Sequence, residues 1–354
     1  MDKSTTSWCD YSALLPPKQV VRRFDSKSAR FYWWQEPEEG RLVTKTAIGI
    51  TSLLSMVMAE SKPLTDWKIR TEGWKELLDA SSEYGTSMHG ILTEWLINKS
   101  VPKEMLDAAR IPVIRAKMAW DMPEKDLLSW ALFCEQYNVE ALLIEACLVS
   151  EPIDGDHFCQ AIDLLLKLDV IETVIEVVNK GKFKSGPRKG QDNITEKKTK
   201  VAVRKTAVLD WKSNFASKDA KSFFESHKHQ LIAAKRAVEY NYGDVKVDLL
   251  INWSPDGWRT QPNYTMKIWE ITQKDYDMFD AYIRIAHISG FFKPSGHIFV
   301  APEFTPETKS TDFRMLSYVE FVEQVLLADK EEELTVYDDE IDSPILSYLD
   351  GITE

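Results

Sequence analysis

The stretch AVLDWKS, residues 207–213, joins an apolar run to a closely spaced aspartate and lysine. Residues i and i+2 of a β-strand point to the same face of a sheet. A strand over 206–212 therefore places Asp210 and Lys212 together and Trp211 on the opposite face. A carboxylate and an ammonium group at the end of a buried strand are costly unless they face a ligand or each other. The triplet alone fits a simple ion pair as well as a catalytic pair.

A second acidic residue, Asp163, lies inside the apolar stretch FCQAIDLLL (158–166), which predicts a strand over 157–168. If this strand pairs with 206–212, two carboxylates and one lysine converge. Paired carboxylates bind Mg²⁺ or Mn²⁺ through oxygen, and such an ion stabilises charge on a phosphate oxygen. A lysine beside it can orient or deprotonate the attacking water or stabilise negative charge. The set of residues fits phosphodiester hydrolysis.

A histidine and a glutamine lie on the neighbouring predicted helices. His89 is in YGTSMHGILTEWL (84–96), which reads as an amphipathic helix capped by Thr86 or Ser87. Imidazole is a common further ligand of Mn²⁺, although a lone histidine on a helix is more often structural. Gln230 is in SHKHQLIAAKRAVEY (226–240), on the helix after the aspartate–lysine strand, where an amide can hydrogen-bond substrate or water.

The order of elements predicts an α/β fold with a central mixed β-sheet flanked by helices. Residues 1–83 are expected to form an irregular and helical N-terminal region that includes the strand-like RFYWW (30–34). Helices are expected at 46–60, 65–82, 86–98, 104–118, 124–137, 218–240, 274–290 and 313–328. Strands are expected at 141–149, 157–168, 206–212, 245–253 and 264–271.

Composition excludes several classes of protein. The 354 residues carry 44 Lys and Arg against 56 Asp and Glu, a net charge of −12, which argues against coating nucleic acid by bulk charge. The apolar runs are too short to span a bilayer, and residues 1–15 do not resemble a secretory signal, so we expect a cytoplasmic protein with no membrane partner. Four scattered cysteines without a CxxC pair indicate reduced thiols.

Charge is unevenly distributed along the chain. Residues 179–205 hold ten Lys or Arg and only two acids, whereas 329–354 hold ten acids and one lysine. The basic segment predicts an exposed loop or hairpin tip that is either simply solvated or contacts phosphates. The acidic tail predicts a solvating C-terminus that can also bind a partner or the basic segment. The candidate phosphate contacts are Lys182, Lys184, Arg188, Lys189, Lys197 and Lys198.

The four motifs, in this order, resemble the PD-(D/E)XK nuclease superfamily, and more narrowly the RecB-type nuclease domain and its phage and mitochondrial exonuclease relatives. The matching stretches are GTSMHGILTEWL (85–96), VSEPIDGDHFCQAIDLLLKL (149–168), AVLDWKS (207–213) and HQLIAAKRAVEY (229–240). The resemblance implies a restriction-endonuclease-like core over 84–328, with 179–205 as an insertion between the two catalytic strands.

The resemblance also implies roles for individual residues. His89, Asp163 and Asp210 would hold Mg²⁺ or Mn²⁺ with the carbonyl of Trp211, and Lys212 would be the catalytic lysine. Gln230 matches the glutamine of the family's last motif, and Glu145 falls where a strand acid sometimes occurs, without an assigned role here.

The chain departs from the family pattern at two positions. Gln160 replaces the usual glycine before the strand aspartate, and Ala234 replaces a frequent tyrosine. The cysteine positions do not fit the iron–sulfur cluster that some relatives carry, so no cluster is expected.

The resulting expectation is a metal-dependent deoxyribonuclease, an exonuclease in DNA recombination, repair or phage DNA processing, located in the host cytoplasm if phage-encoded. A recombination or single-strand-binding protein is a candidate partner. The alternatives are a non-catalytic DNA-binding or assembly subunit that keeps a nuclease-like fold, which the Gln160 departure motivates, and an acidic interaction protein that acts through its tail.

Overall fold

A computed structural model of the chain describes residues 11–14, 17–19, 21–25, 30–38, 41–60, 62–116, 123–182, 185–187, 189, 191–213, 223–256 and 260–290. The helices are α1 (Ile50–Val57), α2 (Lys62–Arg70), α3 (Trp74–Asn98), α4 (Lys103–Arg115), α5 (Pro123–Gln136), α6 (Glu225–Asn241) and α7 (Gln273–Ile288). The strands are β1 (Tyr11–Ser12), β2 (Arg22–Asp25), β3 (Arg30–Glu38), β4 (Arg41–Gly49), β5 (Glu140–Val149), β6 (Phe158–Lys182), β7 (Asp192–Trp211), β8 (Leu249–Pro255) and β9 (Tyr264–Ile268). Among these helices, none has the length and apolar character needed to cross a membrane.

All of the strands belong to one mixed sheet. Its order is β2-β3-β4-β6-β7-β8-β9, and β5 pairs with β6 and β1 with β5. The β4–β6 and β7–β8 pairs are parallel, and the other pairs are antiparallel. The expected α/β class with a mixed central sheet is confirmed.

Helices cover both faces of this sheet. One apolar cluster joins α1, α6 and α7 to Leu165 and Val208, and a second joins α3, α4 and α5 to Leu164 and Leu166. A strand that is buried on both faces reads as a continuous apolar run, as AIDLLLKL (161–168) does. The apolar parts of β6 and β7 therefore lie at the centre of the fold, where Asp163 and Asp210 are only partly exposed.

The N-terminal part of the chain differs from the expected helical region. Strands β2, β3 and β4 precede the first helix, and β4 joins the central sheet by pairing Ile48 with Phe158. The helix expected at 46–60 begins only at Ile50. Ala47 and Ile48 of β4 are apolar, as is Ile50, the first residue of α1. Hydrophobicity alone therefore does not mark where β4 ends and α1 begins.

Helix α3 is longer than expected. It runs without a break over Trp74–Asn98, so the predicted domain boundary between 83 and 84 lies inside it. The predicted caps are also wrong, because Thr86 and Ser87 lie within the helix. Their hydroxyls donate to the carbonyls of Ser82 and Glu83, at 3.0 and 3.1 Å, which satisfies them without ending the helix.

Strands β6 and β7 extend beyond the sheet as a two-stranded antiparallel ribbon, here defined as residues 169–182 and 192–205. Its pairing runs from Asp169 opposite Arg204 to Lys182 opposite Asp192. Much of the basic segment expected as a loop or hairpin is therefore β-strand. The expected helix 313–328 and the acidic tail 329–354 lie outside the described residues, as do Lys184 and Arg188. Cys134, Cys147 and Cys159 are buried free thiols.

An ion pair connects α6 to α7. Lys228 Nζ lies 2.6 Å from Asp275 Oδ1, and the backbone N–H of Thr272 donates to the same carboxylate at 2.8 Å. The hydrogen bond from Lys228, with those from Thr272, holds the pKa of Asp275 well below its usual value. Because the contact orders the start of α7 against α6, it also steadies the helix that carries Gln230.

Candidate metal centre and catalytic lysine

A cavity of about 660 Å³ opens where β6 and β7 meet α3 and α6. Helix α3 contributes one face, from Leu78 to Thr93, at the three- and four-residue spacing of a helical stripe. The predicted site residues at its wall are His89, Asp163, Asp210, Trp211, Lys212 and Gln230. The structure therefore brings six residues, separated by up to 141 positions in the sequence, to one cavity.

The pairing of β6 with β7 brings the two aspartates to this cavity. Leu164 lies opposite Leu209, so Asp163 and Asp210 are the next positions along the two strands. The backbone N–H of Trp211 donates to Asp163 Oδ2 at 2.9 Å. This bond fixes one oxygen of Asp163 beside Trp211, the residue that stands between Asp210 and Lys212 in the sequence.

Lys212 reaches toward α6. Its Nζ donates to Asp210 Oδ1 at 2.7 Å and to Gln230 Oε1 at 3.3 Å. Burial opposes the charged ammonium group, but the negative charges of Asp210 and Asp163 outweigh it and raise the pKa of Lys212. Lys212 is therefore protonated at neutral pH and acts as a donor of hydrogen bonds.

The carboxylate of Asp210 has a second donor. Asn252 of β8 lies beside Asp210 in the parallel register, and its Nδ2 donates to Asp210 Oδ2. The Asn252 side chain in turn accepts a hydrogen bond at 2.6 Å from Trp269 Nε1. The sequence analysis missed Asn252; its signal was a polar residue inside the apolar run LLINW (249–253).

His89 faces two carboxylates on the other side of the cavity. Its Nδ1 lies 3.1 Å from Glu145 Oε1 and 3.8 Å from Asp163 Oδ1. Ligand atoms of His89, Glu145 and Asp163 all lie within 4.8 Å of one another. Asp210 is not a member of this group. Its two oxygens accept hydrogen bonds from Lys212 and Asn252.

Glu145 owes its place to an irregularity in β5. Its φ is +49°, a left-handed conformation that is uncommon for a residue with a side chain. Residues i and i+2 of a regular strand share a face, yet Ile144 packs with α3 while Ala146 packs with α6. The same shift occurs around Asp163, between Ile162 and Leu164. Backbone strain of this kind costs about 1–3 kcal/mol and clusters at functional sites.

The electrostatics of the cluster favour a cation. Burial raises the pKa of both Asp163 and Asp210, despite the opposing charges of His89 and Lys212. Burial also disfavours the imidazolium form of His89, but Asp163 and Glu145 outweigh it and raise its pKa to about 9. In the absence of a metal ion, a proton on His89 balances the carboxylates.

The donor set fits a hard divalent cation. Ligands of such an ion lie up to about 4–5 Å apart, and the ligand atoms of His89, Glu145 and Asp163 lie within 4.8 Å of one another. Two carboxylates suit Mg²⁺, and the imidazole nitrogen suits Mn²⁺ better. His89, Asp163 and Glu145 are thus able to hold the ion, with Asp210 at the adjoining wall.

Gly85 allows α3 to approach the end of β7. A Cβ atom at this position would lie 2.8 Å from Ser213 Oγ, closer than side chains normally pack. The glycine of the motif GTSMH (85–89) therefore allows α3 to pack closely against Ser213, the residue after Lys212.

Trp211 contributes backbone to the cavity and packs its indole into the core. The ring is 2% exposed and lies 5.2 Å from the ring of Trp130 and 5.5 Å from that of His89. Its side chain is in the α3 cluster, whereas Lys212 contacts Gln230 on α6. This is the alternation of faces that the sequence predicts; the role of the Trp211 carbonyl as a ligand stays a prediction.

The predicted phosphate contacts that the structure describes are not at the cavity. Lys182, Lys197 and Lys198 lie on the ribbon, and Lys189 lies between its two strands in the sequence. None of these four lines the cavity. Because neighbouring residues of a strand point to opposite faces, Lys197 and Lys198 project to different sides of the ribbon.

The two departures from the family pattern have different surroundings. Gln160 lines the cavity, and its buried Oε1 has no hydrogen-bond partner among the described residues. Ala234 is 1% exposed and belongs to the core on the α6 face, so it does not stand where a side chain would meet a ligand.

When the chain is compared with known proteins, no family model matches it and no curated protein matches it.

Proposed function

We propose that the protein is a metal-dependent deoxyribonuclease, an exonuclease that hydrolyses phosphodiester bonds in DNA recombination, repair or phage DNA processing. One observation carries the proposal: two aspartates from paired strands, a histidine from α3 and a lysine bonded to Gln230 of α6 share one cavity. Clustered carboxylates can hold a divalent cation and a protonated lysine supplies a further positive charge, and phosphoryl transfer requires positive charge at the phosphate.

The metal would be held by His89, Glu145 and Asp163, with Asp210 and the carbonyl of Trp211 as further ligands. When bound, Mg²⁺ or Mn²⁺ supplies Lewis-acid stabilisation of the negative charge that develops on the phosphate. Before the ion binds, His89 has to lose the proton that Asp163 and Glu145 favour. Metal affinity should therefore rise with pH.

Lys212 provides the positive charge that belongs to the chain itself. Its ammonium group is oriented by two acceptors, Asp210 at 2.7 Å and Gln230 at 3.3 Å. An oriented donor in a partly buried site stabilises charge on a phosphate oxygen without reorganising during the reaction. Its raised pKa favours this role, or the orientation of the attacking water, over proton abstraction.

The ribbon is suited to bind the substrate away from the cavity. A two-stranded β-ribbon fits the major groove of B-DNA, and lysines on it contact phosphates in a salt-dependent manner. Lys197 and Lys198 lie on opposite faces of the ribbon, so each face carries a lysine, with Glu176 opposite Lys197. The net charge of −12 makes such a local basic element necessary for DNA binding.

The test is degradation of end-labelled linear and circular DNA with Mg²⁺ and with Mn²⁺, by wild type and by Lys212→Ala. Lys235→Ala is a matched control, because Lys235 is also partly buried and ion-paired, to Glu239 at 2.5 Å, but does not line the cavity. We expect metal-dependent shortening of linear DNA by wild type and the control, and none by Lys212→Ala.

Equal activity of wild type and Lys212→Ala would discard this mechanism. Binding of DNA by the wild type without turnover, and without a site for Mn²⁺, would instead identify a non-catalytic DNA-binding or assembly subunit.

A further inference from the structure

Asn252 is a fully buried polar residue that contacts Asp210, a residue of the cavity wall. It is 0% exposed and pairs with Asp210 in the parallel β7–β8 register. A buried amide needs partners at both ends of its side chain. Asn252 has them: Nδ2 donates to Asp210 Oδ2, and Oδ1 accepts from Trp269 Nε1 at 2.6 Å.

The tryptophan determines which way the amide points. An indole N–H is only a donor, so the amide oxygen of Asn252 has to face Trp269. The amide N–H₂ then has to face Asp210. One carboxylate oxygen is thereby bonded to Asn252 and the other to Lys212 Nζ, at 2.7 Å. Two donors on two different oxygens fix the rotation of the Asp210 carboxylate.

We propose that Asn252, oriented by Trp269, is a positioning residue that holds the Asp210 carboxylate in the rotamer used for the cation and for Lys212. The inference rests on the proposed function, since it gives Asp210 a place beside the metal. An asparagine performs this role without adding charge, whereas an aspartate at position 252 would place a second carboxylate against Asp210. Outer partners of metal ligands typically contribute about 10- to 100-fold to metal affinity.

The experiment is calorimetric titration of the full-length chain with Mn²⁺. The variants are Asn252→Ala and Trp269→Phe. The second removes the indole donor to the amide oxygen and keeps an aromatic ring. Trp253→Phe is the matched control: Trp253 is 1% exposed, adjoins Asn252, and its Nε1 has no hydrogen-bond partner among the described residues. Thermal unfolding of each variant shows whether it is folded.

We expect Asn252→Ala and Trp269→Phe to bind Mn²⁺ about 10- to 100-fold more weakly than wild type, and the control to bind within about twofold of it. Unchanged affinity in Asn252→Ala would overturn the role of Asn252. An equal loss in Trp253→Phe and Trp269→Phe would overturn the role of the Trp269 hydrogen bond.

Crystal structures of wild type and Asn252→Ala separate this inference from the proposed function. If wild type binds no Mn²⁺, the proposed function fails. The positioning role of Asn252 is then tested by the rotamer of Asp210 alone. We expect the carboxylate to rotate away from its 2.7 Å contact with Lys212 when the amide is removed. A carboxylate that keeps this contact would overturn the positioning role.

Discussion

Replacing Gly85 by alanine tests how closely α3 has to pack against the end of β7. Alanine is about 1 kcal/mol more favourable than glycine inside a helix, so an unconstrained substitution stabilises the protein by that amount. The new Cβ would lie 2.8 Å from Ser213 Oγ, however, and an atom has to move. Overpacking of this kind costs about 1–3 kcal/mol. We therefore expect Gly85→Ala to be neutral or to destabilise by up to about 2 kcal/mol.

Ser213→Ala removes the atom that collides. The nearest remaining atom is then Ser213 Cβ, at an ordinary 3.9 Å. Adding Gly85→Ala to the Ser213→Ala background should therefore stabilise the protein by about 1 kcal/mol. The coupling energy between the two positions, measured by urea unfolding of the four proteins, should be about 1–3 kcal/mol.

Nuclease activity should follow the same pattern, falling in Gly85→Ala and recovering in the double variant, because the displacement of α3 moves His89 relative to Lys212. Equal stabilisation by Gly85→Ala in both backgrounds would refute the reasoning. It would mean that α3 moves away from the end of β7, or that the Ser213 side chain rotates, without a cost in free energy.

Three further predictions concern separate parts of the molecule. Glu145→Gln should weaken Mn²⁺ binding at least about tenfold in calorimetry, because a neutral amide oxygen replaces a charged ligand beside His89; unchanged affinity would remove Glu145 from the site. Because folding lowers the pKa of Asp275, its ionised carboxylate stabilises the folded protein. This stabilisation is complete above the pKa of the unfolded state, about 3.9, and is lost as the pH falls through the lower pKa of the folded state. Asp275→Asn should therefore be less stable than wild type at pH 7 and lose less stability on acidification in urea titrations, whereas the exposed Asp277→Asn should parallel wild type; parallel curves for both would contradict the linkage. Replacing Lys197 and Lys198 by alanine should reduce the slope of log affinity for DNA against log salt by about 1 per lysine that contacts phosphate; an unchanged slope would place DNA elsewhere.

Local patterns were sufficient to predict the centre of the fold. The apolar runs of β5, β6 and β7 predict strands, and the two-residue repeat places Asp210 and Lys212 on one face. Pairing of β6 with β7, which brings Asp163 to the same cavity, was a hypothesis of the sequence analysis that the register confirms. These features follow from hydrophobicity and spacing, which a sequence states directly.

Other parts of the site depend on backbone geometry that no spacing rule describes. Glu145 enters the cluster because its φ is +49° and the alternation of faces shifts there. Asn252 reaches Asp210 only because β8 pairs in parallel with β7, although the two strands are far apart in the sequence. The length of α3 was missed because Thr86 and Ser87 resemble caps, although within a helix they bond to the preceding turn.

The central claim is that the carboxylate cluster holds a cation that is required to cleave DNA. The most direct measurement is release of labelled nucleotides from end-labelled DNA by wild type and by Asp163→Asn over a range of Mn²⁺ concentrations. We predict release by wild type that rises with Mn²⁺ and ceases with chelator, and none by Asp163→Asn, although the variant remains folded. Release by the variant at the wild-type rate, or no release by wild type with either metal, would contradict the claim.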